Sequence, residues 1–206
     1  MLHVMQIRND AVSDAVFRSM FAARKAVFVD LLRWNVPVLD GRYEIDQFDD
    51  PHASYIILTD ASGTHLGSAR LLPTMRPHIL DTLYATLCEN DPPRDAAIFE
   101  ITRFCLDRRL RAAERRIVRD TLVTALVEHA LVTGITAYTA IAEIGWFQQI
   151  LAFGWRCWPL GLPQRLDGAL LAALRIEITD ETPALLAAAG ITATPALLGL
   201  EQRAAA

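Results

Sequence analysis

Residues 97–143 read AIFEITRFCLDRRLRAAERRIVRDTLVTALVEHALVTGITAYTAIAE, and this stretch decides the fold. Ala97 to Leu106 has the length and composition of a strand, with Phe, Ile, Thr and Cys around two charged residues. From about Ala113 to Thr133 the apolar positions recur at helical spacing, and Gly134 follows as a C-cap. Ile135 to Glu143 reads as a second strand. Strand, helix and strand predict a right-handed crossover between parallel strands, and so an α/β fold with a mixed sheet. In a regular pleat Glu100 and Thr102 share one face of the first strand while Phe99, Ile101 and Arg103 share the other; a bulge would bring Glu100 and Arg103 together.

Working outward, Val16, Met20, Ala23, Val27 and Leu31 predict a helix over residues 12–33 with a break near Phe28, in which Arg24 and Phe28, four apart, share a face. Residues 36–51 carry proline, Asp40-Gly41 and many carboxylates, and read as a loop ending in a turn. Ser54 to Thr59, the turn Asp60-Ala61-Ser62-Gly63 and His65 to Leu72 predict a hairpin with Arg70 in its second strand. A loop and a short helix around Asp81 to Cys88 end at Asp91-Pro92-Pro93. Trp146 to Phe153 predicts an amphipathic helix stopped by Gly154, Leu170 to Thr179 a last strand, and the Ala/Leu-rich tail from about 183 to 206 a peripheral helix. With 206 residues, no internal repeat and no linker, one domain over 1–206 is expected.

Composition narrows the function. At 52% hydrophobic residues the chain is apolar, yet no apolar run approaches the roughly 20 residues of a membrane span. The amino terminus does not read as a secretory signal, so the expected location is the cytoplasm. Net charge −4 gives no general attraction to nucleic acid. Cys88, Cys105 and Cys157 form neither a disulfide framework nor a thiolate site and read as core thiols. No histidine sits at ligand spacing from another ligand type, so no metal is expected, and no Gly-x-Ser-x-Gly elbow supports a serine hydrolase.

Charge placed inside apolar segments is the functional signal. Arg24 with Phe28 and Trp34, the run Glu44-Ile45-Asp46-Gln47-Phe48-Asp49, Arg70 in Gly67-Ser68-Ala69-Arg70-Leu71-Leu72-Pro73, and Glu100 with Arg103 all put ions beside aromatic or aliphatic residues. A buried, unpaired ion costs several kcal/mol, on the order of the whole stability of a domain, so the pattern predicts a charged pocket.

In this order and spacing the residues resemble the acyl-homoserine lactone synthases, the autoinducer synthases of quorum sensing, over roughly residues 1–180. The family pattern of arginine, phenylalanine and tryptophan, then Glu-x-Asp-x-Phe-Asp, an arginine closing a strand, and Glu-x-x-Arg falls on Arg24, Phe28, Trp34, Asp46, Asp49, Arg70, Glu100 and Arg103. The resemblance implies a three-layer α-β-α sandwich like that of the GCN5-related N-acetyltransferases. It implies two substrates, S-adenosylmethionine and an acyl thioester on acyl carrier protein or coenzyme A, and no cofactor.

The implied reaction acylates the α-amine of S-adenosylmethionine and then closes the lactone with loss of methylthioadenosine. An α-amine with a pKa of roughly 8 needs only a weak base, for which Glu100 is the candidate, with Arg70 and Arg103 in the same catalytic group. An ion pair between Glu100 and Arg103 that ties the strand to a neighbour is the structural alternative. S-adenosylmethionine carries a sulfonium, an ammonium and a carboxylate. Asp46 and Asp49 answer the cations, Phe28 and Trp34 supply the aromatic face, worth roughly 0.5–2 kcal/mol as a cation–π contact, and Arg24 or Arg103 answers the carboxylate. The three-residue spacing lets Asp46 and Asp49 face one way if the segment makes a helical turn, and Arg70 is expected to brace them by bidentate pairing.

For the acyl donor, the acetyltransferases grip pyrophosphate with a glycine loop that Arg108-Arg109-Leu110-Arg111-Ala112-Ala113 replaces here. Arg111 stands where the central glycine would be. A side-chain grip by Arg108, Arg111 and Arg115 on phosphopantetheine or an acidic carrier protein is expected, on a face shared with Arg119 if the helix starts early. The acyl chain would lie among Leu122, Leu126, Thr139, Ile141, Trp146, Phe147 and Ile150, all of which core packing would also explain. The competing readings are a coenzyme A-dependent N-acyltransferase on another small amine, and a non-catalytic module that senses the same ligands.

Overall fold

The computed structural model describes residues 1–7, 14–166 and 168–192. The chain folds into two compact units, one of residues 1–71 and 103–123 and the other of residues 72–102 and 124–206, so that it passes between them three times. The far end of the tail expected over 183–206 lies outside the described residues.

In the first unit, β1 (Leu2–Gln6) runs antiparallel to β4 (Ser54–Thr59), and β4 antiparallel to β5 (His65–Pro73). All six residues of β4 are buried, as its uninterrupted apolar sequence requires of a strand covered on both faces. The β4–β5 hairpin has the predicted turn, where the Asp60 carboxylate accepts the backbone N–H groups of Ser62 and Thr64 at 2.8 and 2.9 Å. Strand β1 was not anticipated.

The predicted amino-terminal helix is present but changes its winding. α1 (Ala15–Arg24) starts at Asp14, whose carboxylate caps the N–H groups of Val16 and Phe17, and buries Phe17, Met20, Phe21 and Arg24. Phe17 and Phe21 pack edge-on against Tyr55 of β4. From Lys25 to Leu31 the backbone is a π-helix, the wider turn that accompanies functional positions and here turns Val27 and Phe28 inward. The expected loop over 36–51 contains a small hairpin, β2 (Val38–Leu39) and β3 (Tyr43–Glu44). Asp40 and Gly41, at φ +52° and +66°, make its turn in the left-handed backbone region that Asp-Gly tolerates.

The second unit holds the parallel pair that the opening stretch predicts. β6 (Ile98–Leu106) pairs with β7 (Ala137–Glu143) from Ile98↔Ala137 to Ile101↔Ala140, with α3 (Ala112–Thr133) between them in sequence. Gly134, at φ +76°, ends the helix. β7 runs antiparallel to β10 (Ala169–Glu177), which also pairs with β8 (Cys157–Pro159) and β9 (Gln164–Leu166). Parallel and antiparallel pairing together make the fold mixed α/β. α2 (Ile79–Thr82), a 3₁₀ turn at Ala85–Leu87, α4 (Ile144–Leu151) and α5 (Thr182–Ala188) complete the unit.

In the first unit Gly67 of β5 sets how closely α3 approaches: a Cβ there would stand 2.7 Å from Val118 Cγ1 and 3.2 Å from Leu106 Cδ2. Val118 is β-branched and stiff, so it cannot swing clear. We expect Gly67→Ala to lower the free energy of unfolding by about 1–3 kcal/mol in urea titration, and Val118→Ala in the same chain to restore part of that loss. A Gly67→Ala protein as stable as the wild type would show that helix and strand can separate freely.

Candidate active site

Six side chains of the first unit form one closed ring of alternating charge. Arg24 donates from Nε to Glu44 at 2.5 Å and from Nη1 and Nη2 to the two oxygens of Asp49 at 2.8 and 2.9 Å. Arg70 forks onto Asp46 at 2.6 and 3.1 Å and reaches Asp49 at 2.8 Å. Arg103 closes the circuit, donating to Glu44 at 3.0 and 3.1 Å and to Asp46 at 2.7 Å. Three guanidinium groups and three carboxylates leave the ring formally neutral. Each ion therefore has two partners of opposite sign, which is what allows them to be buried.

Local backbone geometry aims these groups. Asp49 donates its N–H to the carbonyl of Asp46, making one tight turn, and each aspartate carboxylate also accepts a backbone N–H of that turn, from Asp46 and Phe48. The two carboxylates thus face the same way, as their spacing allowed. Tyr55 adds a hydroxyl donor to Asp49 at 2.8 Å. Arg103 sits at φ +49°, a left-handed conformation rare for a side-chain-bearing residue, in the middle of β6. This irregularity takes the place of the bulge considered above and carries Arg103 off the regular pleat to Glu44 and Asp46; strain of this kind persists where the surroundings over-determine it.

The electrostatics follow from this geometry. Burial works against the Asp49 charge, but Arg24 and Arg70 outweigh it and hold the carboxyl well below the usual carboxylate range. Burial likewise opposes the Arg24 charge, and Asp49 with Glu44 raises its pKa regardless. The Tyr55 hydroxyl is pushed up by burial and by the adjacent Asp49 charge.

Arg24, Glu44, Asp49 and Arg70 have side chains no more than 1% exposed, whereas Asp46 and Arg103 reach 5% and 10%. The ring meets the surface at that one edge. There Phe28 and Trp34 stack with centroids 4.7 Å apart, and the Arg103 guanidinium stands 5.6 and 5.7 Å from their rings. Phe28 is buried with Val27 and Cys105, while Trp34 is 36% exposed. Trp34 follows Arg33, at φ +60°, and donates its N–H to the carbonyl of Phe28.

In the second unit Glu100 is fully buried, and its two carboxylate oxygens accept the backbone N–H groups of Ile79 at 2.8 Å and Leu80 at 3.1 Å. Thr139 lies directly across from it in the parallel pair, also buried, and its Oγ1 has no partner among the described residues. Of the residues proposed for an acyl slot, Leu122 is buried in the first unit. Leu126, Phe147 and Ile150 are buried in the second, Trp146 is half-buried edge-on to Phe153, and Ile141 packs beside Leu80, Leu87 and Ala173.

α3 begins at Ala112, within one residue of the expected start, so the early start that a shared face required does not occur: Arg108 and Arg111 precede the helix and share no helical face with Arg115 and Arg119. A turn stabilised by the Asp107 carboxylate, which accepts the Arg109 N–H, holds the start back, and Arg119 turns to Asp120. Arg108, Arg111 and Arg115 are exposed, and none makes an ion pair among the described residues.

Three contributors were not identified from sequence. Glu44 makes two of the ring's six ion pairs, to Arg24 and Arg103; its signal was its place two residues before Asp46, in a run already recognised as important. Tyr55, the one hydroxyl-bearing aromatic in an aliphatic strand, offered a weaker signal. The amides of Ile79 and Leu80 offered none, since any residue but proline has an N–H.

We expect Glu44→Gln, which keeps the shape but removes the charge between Arg24 and Arg103, to cost about 3–5 kcal/mol of stability by urea titration. The low Asp49 pKa predicts a pH signature. Its contribution is complete above the ordinary value of 3.8 and is lost as the pH falls below it, so the urea midpoint should drop below about pH 4, and less steeply in Asp49→Asn. An equal acid slope in both proteins would remove Asp49 from the account.

Comparison with known proteins identifies relatives of this chain. The sequence profile of the autoinducer synthase family matches residues 9–185. The chain is 28% identical over 187 residues to an acyl-homoserine-lactone synthase of Ralstonia nicotianae, covering 88% of this chain and 92% of that one. It is 33% identical over 161 residues to one of Rhizobium etli, covering 77% and 76%. A crystallised CoA-dependent acyl-homoserine lactone synthase with SAM and isopentyl-CoA superposes with a TM-score of 0.81 at 28% identity, over 92% of this chain and 89% of that one. Escherichia coli ElaA, at 18% identity and a TM-score of 0.60 over 86% of this chain and 99% of its own, shares the fold, as does an N-acetyltransferase of Lactobacillus plantarum at 0.55 over the same shares. The buried ring of three arginines and three carboxylates thus lies in a chain that belongs to the autoinducer synthase family.

Proposed function

We propose that the protein makes an acyl-homoserine lactone, a quorum-sensing signal, from S-adenosylmethionine and an acyl thioester. The ammonium first gives up one proton; the amine nitrogen then attacks the thioester carbonyl, the C–S bond breaks, and a second nitrogen-bound proton passes to the leaving thiolate, giving an amide and a free thiol. The substrate carboxylate then attacks the γ-carbon, the C–S bond breaks, and methylthioadenosine leaves as the lactone closes. Both steps balance without a resident cofactor. No helix among the described residues is long and apolar enough to cross a membrane, and we assign the enzyme to the cytoplasm.

The observation that carries this reading is the single open edge of the ring, where one anion, one cation and an aromatic face come together. Asp46 offers a carboxylate to the ammonium, Arg103 a guanidinium to the carboxylate, and the exposed face of Trp34 suits the sulfonium. Arg24, Asp49 and Arg70 are saturated by their ring partners, so they act by holding Asp46 and Arg103 in place rather than by touching substrate. Phe28 supports the Trp34 ring from behind. Pre-arranged, desolvated charges of this kind do not reorganise when substrate arrives, which is the main source of their catalytic value.

Glu100 is the proton acceptor for the amine. Its two oxygens each accept a backbone amide N–H, and these bonds favour the carboxylate form that can take up a proton. Arg108, Arg111 and Arg115, exposed at the start of α3, are the site for the phosphates of coenzyme A or the acidic surface of a carrier protein. The acyl chain lies among Leu126, Thr139, Ile141, Trp146, Phe147 and Ile150, with Leu122 on the same helix as Leu126.

Purified protein incubated with S-adenosylmethionine and a panel of acyl-coenzyme A and acyl carrier protein thioesters should give methylthioadenosine and an acyl-homoserine lactone by mass spectrometry; neither product across a broad panel would overturn the reading. Trp34→Ala should raise KM for S-adenosylmethionine about tenfold while leaving the melting temperature nearly unchanged, because the ring is half-exposed. Arg111→Ala should weaken the use of the preferred donor only, and an unchanged KM for both donors would make the basic stretch ordinary surface.

A further inference from the structure

We propose that the His78–Asp81 turn is a positioning device for Glu100, with Asp81 and the backbone amide of Ile79 as its working parts. The inference rests on the reading of Glu100 as the proton acceptor. A fully buried carboxyl is neutralised by desolvation unless something favours its charged form, and a neutral acid cannot accept a proton. The first two amides of α2, from Ile79 and Leu80, favour that charge, one on each oxygen. Being the opening residues of a helix, these amides have no partner within it and are free to point at a side chain.

Their direction depends on how the turn is closed. Asp81 Oδ1 accepts the backbone N–H of His78 at 2.8 Å and the Thr82 hydroxyl at 2.8 Å, and Asp81 Oδ2 lies 3.5 Å from Arg94 Nη1. The buried His78 ring bonds through Nδ1 to the carbonyl of Arg76 at 2.9 Å; a carbonyl can only accept, so Nδ1 carries the proton. Both side chains thus fix the residue immediately before Ile79. Because α2 is a single turn of four residues, it has little stability of its own, and the aim of its amides depends on these contacts. Two bonds from adjacent amides also fix the plane of the Glu100 carboxylate. Asp81 acts through the turn and touches no reacting atom.

The structure offers a selective way to remove one of these bonds. His78 is extended, at φ −136° and ψ 174°, the conformation required before a proline, and Ile79 is the first residue of the helix, where proline is well tolerated. Ile79→Pro therefore deletes the donor to Glu100 Oε2 and keeps the backbone path, while Ile79→Val keeps the donor and serves as the packing control.

The experiment measures steady-state kinetics with S-adenosylmethionine and an active acyl thioester, with melting temperatures recorded for every variant. Ile79→Pro and Asp81→Ala should each lower kcat about tenfold with KM for S-adenosylmethionine unchanged, Ile79→Val should match the wild type, and Asp81→Asn, whose amide oxygen still accepts the His78 N–H, should recover most of the loss. Combining either damaging change with Glu100→Gln should give no further loss in kcat, because the device has nothing left to position. Losses that multiply in the double variants, or Ile79→Pro turning over like Ile79→Val, would overturn the inference. If Glu100→Gln alone keeps full kcat, the reading of Glu100 as the base fails instead, an outcome distinct from the previous two. Should Asp81→Ala not fold, Ile79→Pro against Ile79→Val decides the matter.

Discussion

Burying an arginine without a counter-charge would cost much of the stability of a domain of this size, and the first unit of this protein buries Arg24 and Arg70 almost completely. The closed ring with Glu44, Asp46, Asp49 and Arg103 is what makes this possible. It also fixes the surrounding backbone: α1 must bring Arg24 inward, the π-helix must follow, the β2–β3 hairpin must deliver Glu44, and β6 must twist into a left-handed conformation to add Arg103. Remove any member and two others are left short of a partner, so the ring acts as one structural unit.

A neutral, closed ring suits a substrate that is itself a collection of opposite charges. Inner members spend their hydrogen-bonding capacity on each other and hold still. Outer members, Asp46 and Arg103, share their charge with the protein, and the Arg103 guanidinium also faces the Phe28–Trp34 stack. In the function proposed above, the division separates rigidity from recognition: four buried ions set positions, and the two at the edge are assigned to the substrate. Glu100 in the second unit is held with different material, since backbone amides in place of arginines bond to its carboxylate.

Much of this was legible in the sequence because the signals were strong. The 97–143 stretch gave the parallel pair and its helix, since a strand, a long periodic helix, a capping glycine and a strand admit few arrangements. Arg24, Asp46, Asp49, Arg70 and Arg103 were recognisable as a set, because ions inside apolar segments must find one another. What was missed had weak signals or none: strand β1, the two-residue strands around Asp40-Gly41, and the amides that hold Glu100. The start of α3 near Ala113 was legible, but the basic face conditional on an earlier start is absent because the Asp107 carboxylate stabilises a turn there, a local choice that helical periodicity does not report.

The chain's own residues determined the mixed α/β class, the charge types of the pocket and the membership of a family, because these depend on composition, periodicity and spacing along the chain. Tertiary structure alone decided which charges pair. Sequence grouped Arg24 and Asp49 with the ligand-binding set and left Glu44 unassigned; in the folded unit Arg24 pairs with Asp49 and Glu44, Asp49 also with Arg70, and Glu44 links two arginines. That assignment depends on distances between residues 20 to 59 apart in the chain, and on one left-handed backbone angle at Arg103. Neither quantity is encoded in any local pattern.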